Sequence, residues 1–446
     1  RALWERAARV AGGLAAAGIE RGERAAILFG NGLDWVLAFV GCQLAGVIAV
    51  PVNTRFSQAE IDFVIDNAGA RYVFRPGEPL PDGAPRVADT LTQTEPAAIF
   101  YTSGTTGFPK GAVTTHRNFL SNNETVRRVL ALPADGSIRN LVSVPLFHVT
   151  GCHSQLLATL ELGGSVAIMP AFEVQAFLRA IEAERINVLV SVPAIYWLAI
   201  NQDNFPDVDT GSVTRLAYGG APIAPELVRR IKAAFPRARV CNAFGLTETA
   251  SITTCLPHEY ADDHTDSVGF PSPVMEVALA DEDPETGVGE LLIRGANVVA
   301  GYWRNPEATA ATFEDGWLHS GDLARIDAEG LVYIVDRAKD MINRGGENVY
   351  CVEVENCLAA HDGVFEAAVL GVPDEVMGEK VGAVVVPKPG VALDPADVVA
   401  FCRARIGDFK VPQYVCVTDE PLPRNPGGKV LKPKLREAVT WGDPLF

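Results

Sequence analysis

The sequence predicts an α/β protein: a large N-terminal domain of layered α/β sheets that includes a small β-barrel-like subdomain, followed by a small α+β C-terminal domain. Three observations carry this. Up to about residue 300, helical patterns alternate with short β-branched runs, the mark of α/β layers with largely parallel sheets. From 276 to 299 the pattern changes to strands joined by turns, which suits an antiparallel, barrel-like unit. Seven of the nine lysines (339, 380, 388, 410, 429, 432 and 434) then lie at or beyond the charged stretch 336–340, a separate electrostatic environment that divides the chain into 1–337 and 338–446.

Taken in order, the chain opens inside an amphipathic helical pattern (Leu3, Trp4, Ala7, Ala8, Val10, Ala11, Leu14), so its natural beginning is expected to lie upstream of Arg1. A strand is expected at 24–29. The uncharged stretch 35–50 is sixteen residues long, interrupted by Gly41, Gln43 and Gly46 and stopped by Pro51, whereas a membrane span requires about 20. It reads instead as a helix over 33–45, with Asp34 at the positive end of its dipole, and a buried strand over 47–50. Further strands are expected at 71–74, 97–101, 141–144, 165–169, 188–192 and 215–218, with the Pro/Gly-rich 76–85 as a surface loop. Strands at 276–280 and 289–294 make the barrel-like unit, and one at 331–335 leads into the boundary.

Composition narrows the function. Residues are 48% hydrophobic and 21% charged, enough for a large core. Asp plus Glu is 55 against 38 Lys plus Arg, a net charge of −17, which leaves no domain-scale basic surface for nucleic acid. The eight cysteines form no C-x-x-C pair and no Cys/His cluster at zinc spacing, and so long a chain needs no disulfide framework. The reading is a cytoplasmic protein with free, buried thiols and no transmembrane segment.

Residues 99–111 read Ile-Phe-Tyr-Thr-Ser-Gly-Thr-Thr-Gly-Phe-Pro-Lys-Gly, a strand running into a loop dense in hydroxyls and glycine that ends in one lysine. Gly104 and Gly107 let backbone N–H groups approach an anion. Thr102, Ser103, Thr105 and Thr106 can donate further bonds, and Lys110 adds a mobile positive charge. Together these make a polyphosphate cradle. It is not a Walker A loop, because Lys110 follows Pro109 and precedes Gly111. The plainer alternative, a hairpin turn, fits this density of hydroxyls, glycines and lysine poorly.

Residues 102–111 resemble the signature loop of the adenylate-forming superfamily, which contains acyl-CoA synthetases, the adenylation domains of nonribosomal peptide synthetases and beetle luciferase. Residues 242–248 (Asn-Ala-Phe-Gly-Leu-Thr-Glu), 317–322 (Trp-Leu-His-Ser-Gly-Asp), 336–348 and 423–429 (Pro-Arg-Asn-Pro-Gly-Gly-Lys) match further motifs in the family's order, so the resemblance covers nearly the whole chain. It implies ATP (leaving AMP), Mg²⁺ and coenzyme A as cofactors. Phe244 offers an aromatic face to a purine where the family usually has tyrosine, and Asn242, Ala243 and Gly245 belong to the same nucleotide motif. Thr247 can bond a phosphate, and Glu248 offers a hard oxygen to Mg²⁺, against the plainer reading of Thr-Glu as a helix cap. Gly219, Gly220 and Ala221 follow a β-run and permit the close backbone approach that adenine requires.

Asp322 and Arg337 resemble the family's ribose-binding pair. Lys429, in a glycine-hinged loop, resembles the lysine that reaches the acyl carboxylate and α-phosphate, where a cation stabilises the charge developing on phosphorus. Lys339 matches the hinge about which the C-terminal domain rotates. Gly345 and Gly346 are matched to the approach of the pantetheine arm of CoA. The family usually has proline where this chain has Cys351, so the backbone there is expected to be less restrained than in relatives.

The activity implied is attack of a carboxylate on the α-phosphate of MgATP, giving acyl-AMP and pyrophosphate, then transfer of the acyl group to CoA, with no covalent nucleophile on the protein. Residues 145–153 resemble the segment that lines the carboxylate pocket, and His148, which stands where amino-acid-activating relatives carry aspartate, is a candidate catalytic residue. No acidic residue occurs from 141 to 160, so a substrate ammonium would be buried unpaired. Val192, Pro193, Tyr196, Trp197, Ala243, Leu246 and Ala250 suggest a neutral apolar pocket. A fatty acid is the first reading. An aryl acid of benzoate or cinnamate type, a stand-alone enzyme loading a carrier protein, and a non-catalytic nucleotide-binding homologue stay as alternatives. His116, His258, His264 and His361 read as surface or loop residues, His319 has no evident role, and a homodimer is left open.

Overall fold

The computed structural model describes residues 1–102, 109–221, 223, 225–345, 347–424 and 430–446. Among these, the strands form four sheets. The first orders Tyr72–Phe74, Arg24–Ile27, Ile48–Pro51, Pro96–Thr102 and Lys110–Thr115, parallel except for the antiparallel last pair. The second orders Phe270–Pro271, Thr254–Leu256, Arg239–Phe244, Arg215–Gly219, Val188–Ser191, Arg139–Val142 and Ser165–Ile168, with the first two antiparallel and the rest parallel. A third, antiparallel sheet is built from Met275–Ala280, Val288–Gly295, Phe313–Glu314, Trp317–Ile326 and Val332–Arg337. The fourth takes Ile342–Arg344, Glu347–Val349, Val364–Asp374, Gly378–Pro387 and Tyr414–Val417, with apolar residues of helices Cys351–Ala359 and Pro395–Arg403 in its core. The parallel layers, the antiparallel unit and the α+β C-terminal part are those the alternation predicts.

Local chemistry sets the element ends. Helix Leu33–Ala45 is largely apolar and buried through its middle, with Trp35 and Phe39 stacked 5.0 Å apart. It stops at Gly46 (φ 69°), and Val47 N–H donates back to Cys42 O. Val47 is therefore spent on the helix cap, and the following strand begins one residue later than predicted, at Ile48. No helix of the described residues is long and apolar enough to cross a membrane.

The loop at 76–85 is on the surface but not loose. A Cβ at Gly12 would lie 1.8 Å from Ala84 O, and one at Gly13 would lie 2.4 Å from Pro81 C, so these glycines let the loop lie against helix Ala2–Ala16. Arg9 and Asp82 pair across the contact.

Candidate active site

Strands Pro96–Thr102 and Lys110–Thr115 are antiparallel partners, with Thr102 opposite Lys110. The strands on either side of the predicted cradle thus pair as a hairpin, the arrangement the sequence reading sets aside. Ser103, Gly104, Thr105, Thr106 and Gly107 lie outside the described residues, as do Gly346 and Lys429. Lys110 heads its strand, and a segment from the barrel-like unit is strapped across that strand. Val113 N–H donates to Gly301 O, Trp303 N–H donates to Gly111 O, and Ala112 bridges Tyr302. The same segment reaches the other half of the site, because Val299 N–H donates to Glu248 O at 2.9 Å.

Glu248 sits on a single 3₁₀ turn, Thr247–Thr249, beyond strand Arg239–Phe244. The capping reading is answered here. Leu246 N–H donates to Thr249 Oγ1 at 2.9 Å, so Thr249 is the cap, and the Thr247 and Glu248 side chains are not used as one. Glu248 Oε1 accepts from the Tyr302 hydroxyl at 2.7 Å, and the Tyr302 ring lies 5.3 Å from Lys110 Nζ. Burial first, then the Glu248 charge, holds the Tyr302 pKa far above its ordinary value, so the phenol keeps its proton and donates the hydrogen bond. Sequence reasoning missed Tyr302.

Three of the nucleotide-motif residues have reasons internal to the fold. A Cβ on Gly219 would lie 1.9 Å from Ala243 O of the neighbouring strand, and one on Gly245 would lie 1.4 Å from Ser251 O, so both glycines are dictated by close backbone packing. Gly220 differs: it has φ 75°, and the nearest atom to an added Cβ is Val192 Cγ1 at 3.8 Å. Asn242 turns inward and is buried, its amide donating to Ser267 O at 3.0 Å. Ala243 and Phe244 remain partly exposed, with Phe244 packed on one side against the core of the barrel-like unit.

Asp322 and Arg337 face each other in register on adjacent strands, and Arg337 Nε lies 2.6 Å from Asp322 Oδ1. An irregularity in the pairing of strand Trp317–Ile326 with Val288–Gly295, just before Asp322, gives His319 the role the sequence withheld. Glu290 accepts from Gly321 N–H at 2.9 Å through one oxygen and meets His319 Nδ1 at 2.8 Å through the other. Lys339, in the turn just after Arg337, has its pKa lowered, chiefly by burial.

The segment 145–153, read as lining a carboxylate pocket, runs through His148 and Val149 into a π-helix, Thr150–Leu157. His148 Nε2 is buried without a partner among the described residues, and burial, then the charge of Arg55, pushes its pKa down to about 4. The ring is neutral at pH 7. Tyr196 does not line a pocket: it is fully buried, its hydroxyl donates to Ala217 O at 2.8 Å, and its ring packs on Phe235. Trp197 instead meets Phe365 of the C-terminal sheet edge-on at 4.9 Å. A surface groove of about 630 Å³ opens at the Thr115 end of its strand, lined by Arg117, Arg294 and Phe313, away from Lys110.

In the C-terminal part, Gly345 takes φ 65° with its N–H on Met377 O. Cys351 corrects an expectation. Its N–H donates to Asp336 and its thiol to Asp340 O at 3.0 Å, so the backbone is pinned by bonds that proline, lacking an N–H, could not reproduce. Both flanks of 425–429 are clamped to carboxylates of the same domain. Arg424 pairs with Glu366, Lys432 Nζ lies 2.9 Å from Glu355 Oε1, and Arg424 bridges Val430.

The described residues hold no cluster of three His, Cys, Asp or Glu side chains able to cage a metal. Magnesium that arrives on nucleotide phosphates needs only one or two carboxylates, and the half-buried Glu248 fits that requirement.

Known proteins share this outline. The family described as AMP-binding enzyme matches residues 1–92 and 75–303, and the AMP-binding enzyme C-terminal domain matches residues 353–429. The chain is 37% identical to a feruloyl-CoA synthase of Amycolatopsis sp over 97% of this chain and 92% of that protein. It is 34% identical to the long-chain-fatty-acid–CoA ligase FadD13 of Mycobacterium tuberculosis over 96% and 90%. Among solved structures, o-succinylbenzoate CoA synthetase (MenE) from Bacillus subtilis with the acyl-adenylate intermediate OSB-AMP is 28% identical at TM-score 0.89, covering 99% of this chain and 93% of that one. The same enzyme with ATP and magnesium ion is 29% identical at TM-score 0.87, covering 97% and 93%.

Proposed function

The chain belongs to the AMP-binding enzyme family, and from that premise we propose that it is an ATP-dependent, AMP-forming acyl-CoA synthetase. A carboxylate oxygen of the acid attacks the α-phosphorus of ATP and pyrophosphate leaves, giving acyl-AMP. The thiol of CoA then loses its proton and attacks the acyl carbon, and AMP leaves. The observation that supports this most is the strap from Val299 to Trp303, which ties the strand headed by Lys110 to the Glu248 turn and sets Tyr302 between the two side chains.

In this reading Thr102, Ser103, Gly104, Thr105, Thr106, Gly107, Lys110 and Thr247 hold the phosphates, and Glu248 holds magnesium, which neutralises phosphate charge when bound. Gly220, Ala221 and Phe244 face adenine, and Asp322, oriented by Arg337, takes the ribose hydroxyls. Lys429, between flanks tied to Glu366 and Glu355, supports charge at the α-phosphate. Residues 1–337 and 338–446 form two domains hinged at Lys339, and rotation brings Gly345 and Gly346 to the site for the second step.

The acid is a neutral monocarboxylate, fatty first and aryl second. The 141–160 stretch supplies no carboxylate for an ammonium, and the Arg55 charge acting on His148 opposes a further cation there. The enzyme works in the cytoplasm with its eight cysteines unpaired, as they are in the structure, and light scattering decides whether it is a homodimer. The test of function is pyrophosphate release over a panel of fatty and aryl acids, with and without CoA. Acyl-CoA formation supports the reading, transfer to a holo-carrier protein alone turns it to a loading enzyme, and no turnover with any acid removes it.

A further inference from the structure

The Glu248 turn ends in a backbone that its residues do not favour. Ala250 (φ 50°) and Ser251 (φ 118°) are consecutive non-glycine residues in the left-handed region. Such strain persists only where the surroundings over-determine it, and it collects at functional sites. Here the surroundings are two side chains from one π-helical turn, itself an uncommon geometry that recurs at functional sites. His153 Nδ1 lies 2.8 Å from Ala250 O, and Ser154 Oγ lies 2.7 Å from Ser251 Oγ.

A carbonyl only accepts, so Nδ1 carries the His153 proton. Burial holds the ring neutral by pushing its pKa down to about 4. Nε2 is buried with no partner among the described residues. The ring is gripped edge-on by Phe100 and Phe119, each at 4.7 Å, and Phe100 lies in strand Pro96–Thr102, which leads into the phosphate hairpin. His153 therefore touches both halves of the site from behind and contacts neither Glu248 nor Lys110 itself. A purely space-filling role would be met by Leu or Phe, and neither could make the bond to Ala250.

We propose that His153, seconded by Ser154, is a positioning residue for Glu248: it holds Ala250 and Ser251 in the strained backbone that aims the Thr247–Thr249 turn at Tyr302 and Lys110. This rests on the reading of Glu248 as the magnesium carboxylate. The test compares the full chain with His153→Leu, which loses the bond, and His153→Asn, whose amide can donate to the same carbonyl. Three quantities are measured: MgATP affinity by calorimetry without acid, pyrophosphate release, and conversion of supplied acyl-AMP to acyl-CoA.

We expect His153→Leu to weaken MgATP binding and pyrophosphate release by about tenfold while acyl-AMP conversion stays within about twofold, and His153→Asn to recover most of the loss. Unchanged MgATP affinity in His153→Leu, equal loss in both half-reactions, or no recovery by His153→Asn overturns the proposal. Should His153→Leu fail to fold, Ser154→Ala removes the second bond at little change in volume. It must show the same split at smaller amplitude, and parental values would overturn the proposal equally. A parent protein that binds no MgATP sinks the ligase reading itself, whereas a parent that binds it no better than His153→Leu sinks only the brace.

Discussion

The Tyr302 hydroxyl donates to Glu248 Oε1 at 2.7 Å. The same ring holds Lys110 Nζ at 5.3 Å from its centroid, so one aromatic side chain spaces a carboxylate from a lysine that would otherwise attract each other directly. A hydrogen bond to a charged group is worth about 1.5–3 kcal/mol. Tyr302→Phe keeps the ring and the cation contact and loses only that bond. Pyrophosphate release is expected to fall about tenfold, with more magnesium needed for half-maximal rate and little change in melting temperature. An unchanged magnesium titration would make Tyr302 a spacer without influence on Glu248.

Tyr302 shows where the sequence stops being legible. Gly301-Tyr-Trp303 carries no chemistry on its face, and its value comes from a bridge to Ala112 far earlier in the chain, which no local pattern encodes. The strands flanking the predicted cradle, the Glu248 turn and the Asp322–Arg337 pair stood out in the sequence because residue type and order alone single them out as candidates. Glycine was a weaker guide. At Gly219 and Gly245 a neighbouring carbonyl already excludes a Cβ, so the fold alone requires glycine there. Periodicity placed the opening helix, the 33–45 helix and several of the parallel strands well, but it could not separate pocket from core: Tyr196 and Trp197 are sequence neighbours, one sealed in the core and the other turned to Phe365.

Acid stability tests the buried imidazoles. Burial lowers His148 and His153 from 6.5 to about 4, so between those values the unfolded chain binds protons that the folded one refuses. Stability must therefore fall as pH drops from 6.5 to 4. At 1.36 kcal/mol per unit, the fully buried His153 alone accounts for about 3 kcal/mol of that loss. Urea midpoints across this range should slope less in His153→Asn than in the parent. Equal slopes would mean that His153 titrates normally.

The clamp on 425–429 predicts a graded pair of variants. Lys429→Ala should lose pyrophosphate release yet still turn supplied acyl-AMP into acyl-CoA, since its cation matters only where phosphorus gains charge. Lys432→Met breaks the largely buried pair with Glu355, at a cost of about 3 kcal/mol in stability, and should reproduce a milder form of the same split by loosening the loop's flank. Adding Glu355→Leu should restore stability without restoring the rate. A Lys432→Met variant that slows both half-reactions alike would confine the clamp to folding.

Trp197 and Phe365 meet across the two parts of the chain, so their coupling reports how those parts are held. A double-mutant cycle with Trp197→Ala and Phe365→Ala should give about 1 kcal/mol of coupling, and both single variants should change the ratio of pyrophosphate release to acyl-CoA formation in the same direction. Zero coupling would mean the contact carries no weight in the working enzyme.

Lys339, proposed as the hinge, gives the last prediction. Ala338, Lys339 and Asp340 form the turn between strands Val332–Arg337 and Ile342–Arg344, fixed at its ends by Ala338 N–H on Gly321 O and Asp340 N–H on Arg337 O. Among the described residues, Lys339 N–H donates to no backbone carbonyl, so Lys339→Pro breaks no backbone bond of the turn as it stands. What proline removes is freedom. It fixes φ at 339 and steers Ala338 away from the helical region, so a turn that rotates between two conformations, as proposed, would keep one. If one C-terminal domain presents Lys429 in the first step and Gly345-Gly346 in the second, locking the turn should leave one step near the parental rate. Thioester formation should slow far more than adenylation, on the order of tenfold or greater. Pyrophosphate release and acyl-CoA formation, measured separately on the same preparation, decide it: equal slowing of both steps would remove Lys339 as the hinge while leaving the ligase chemistry intact.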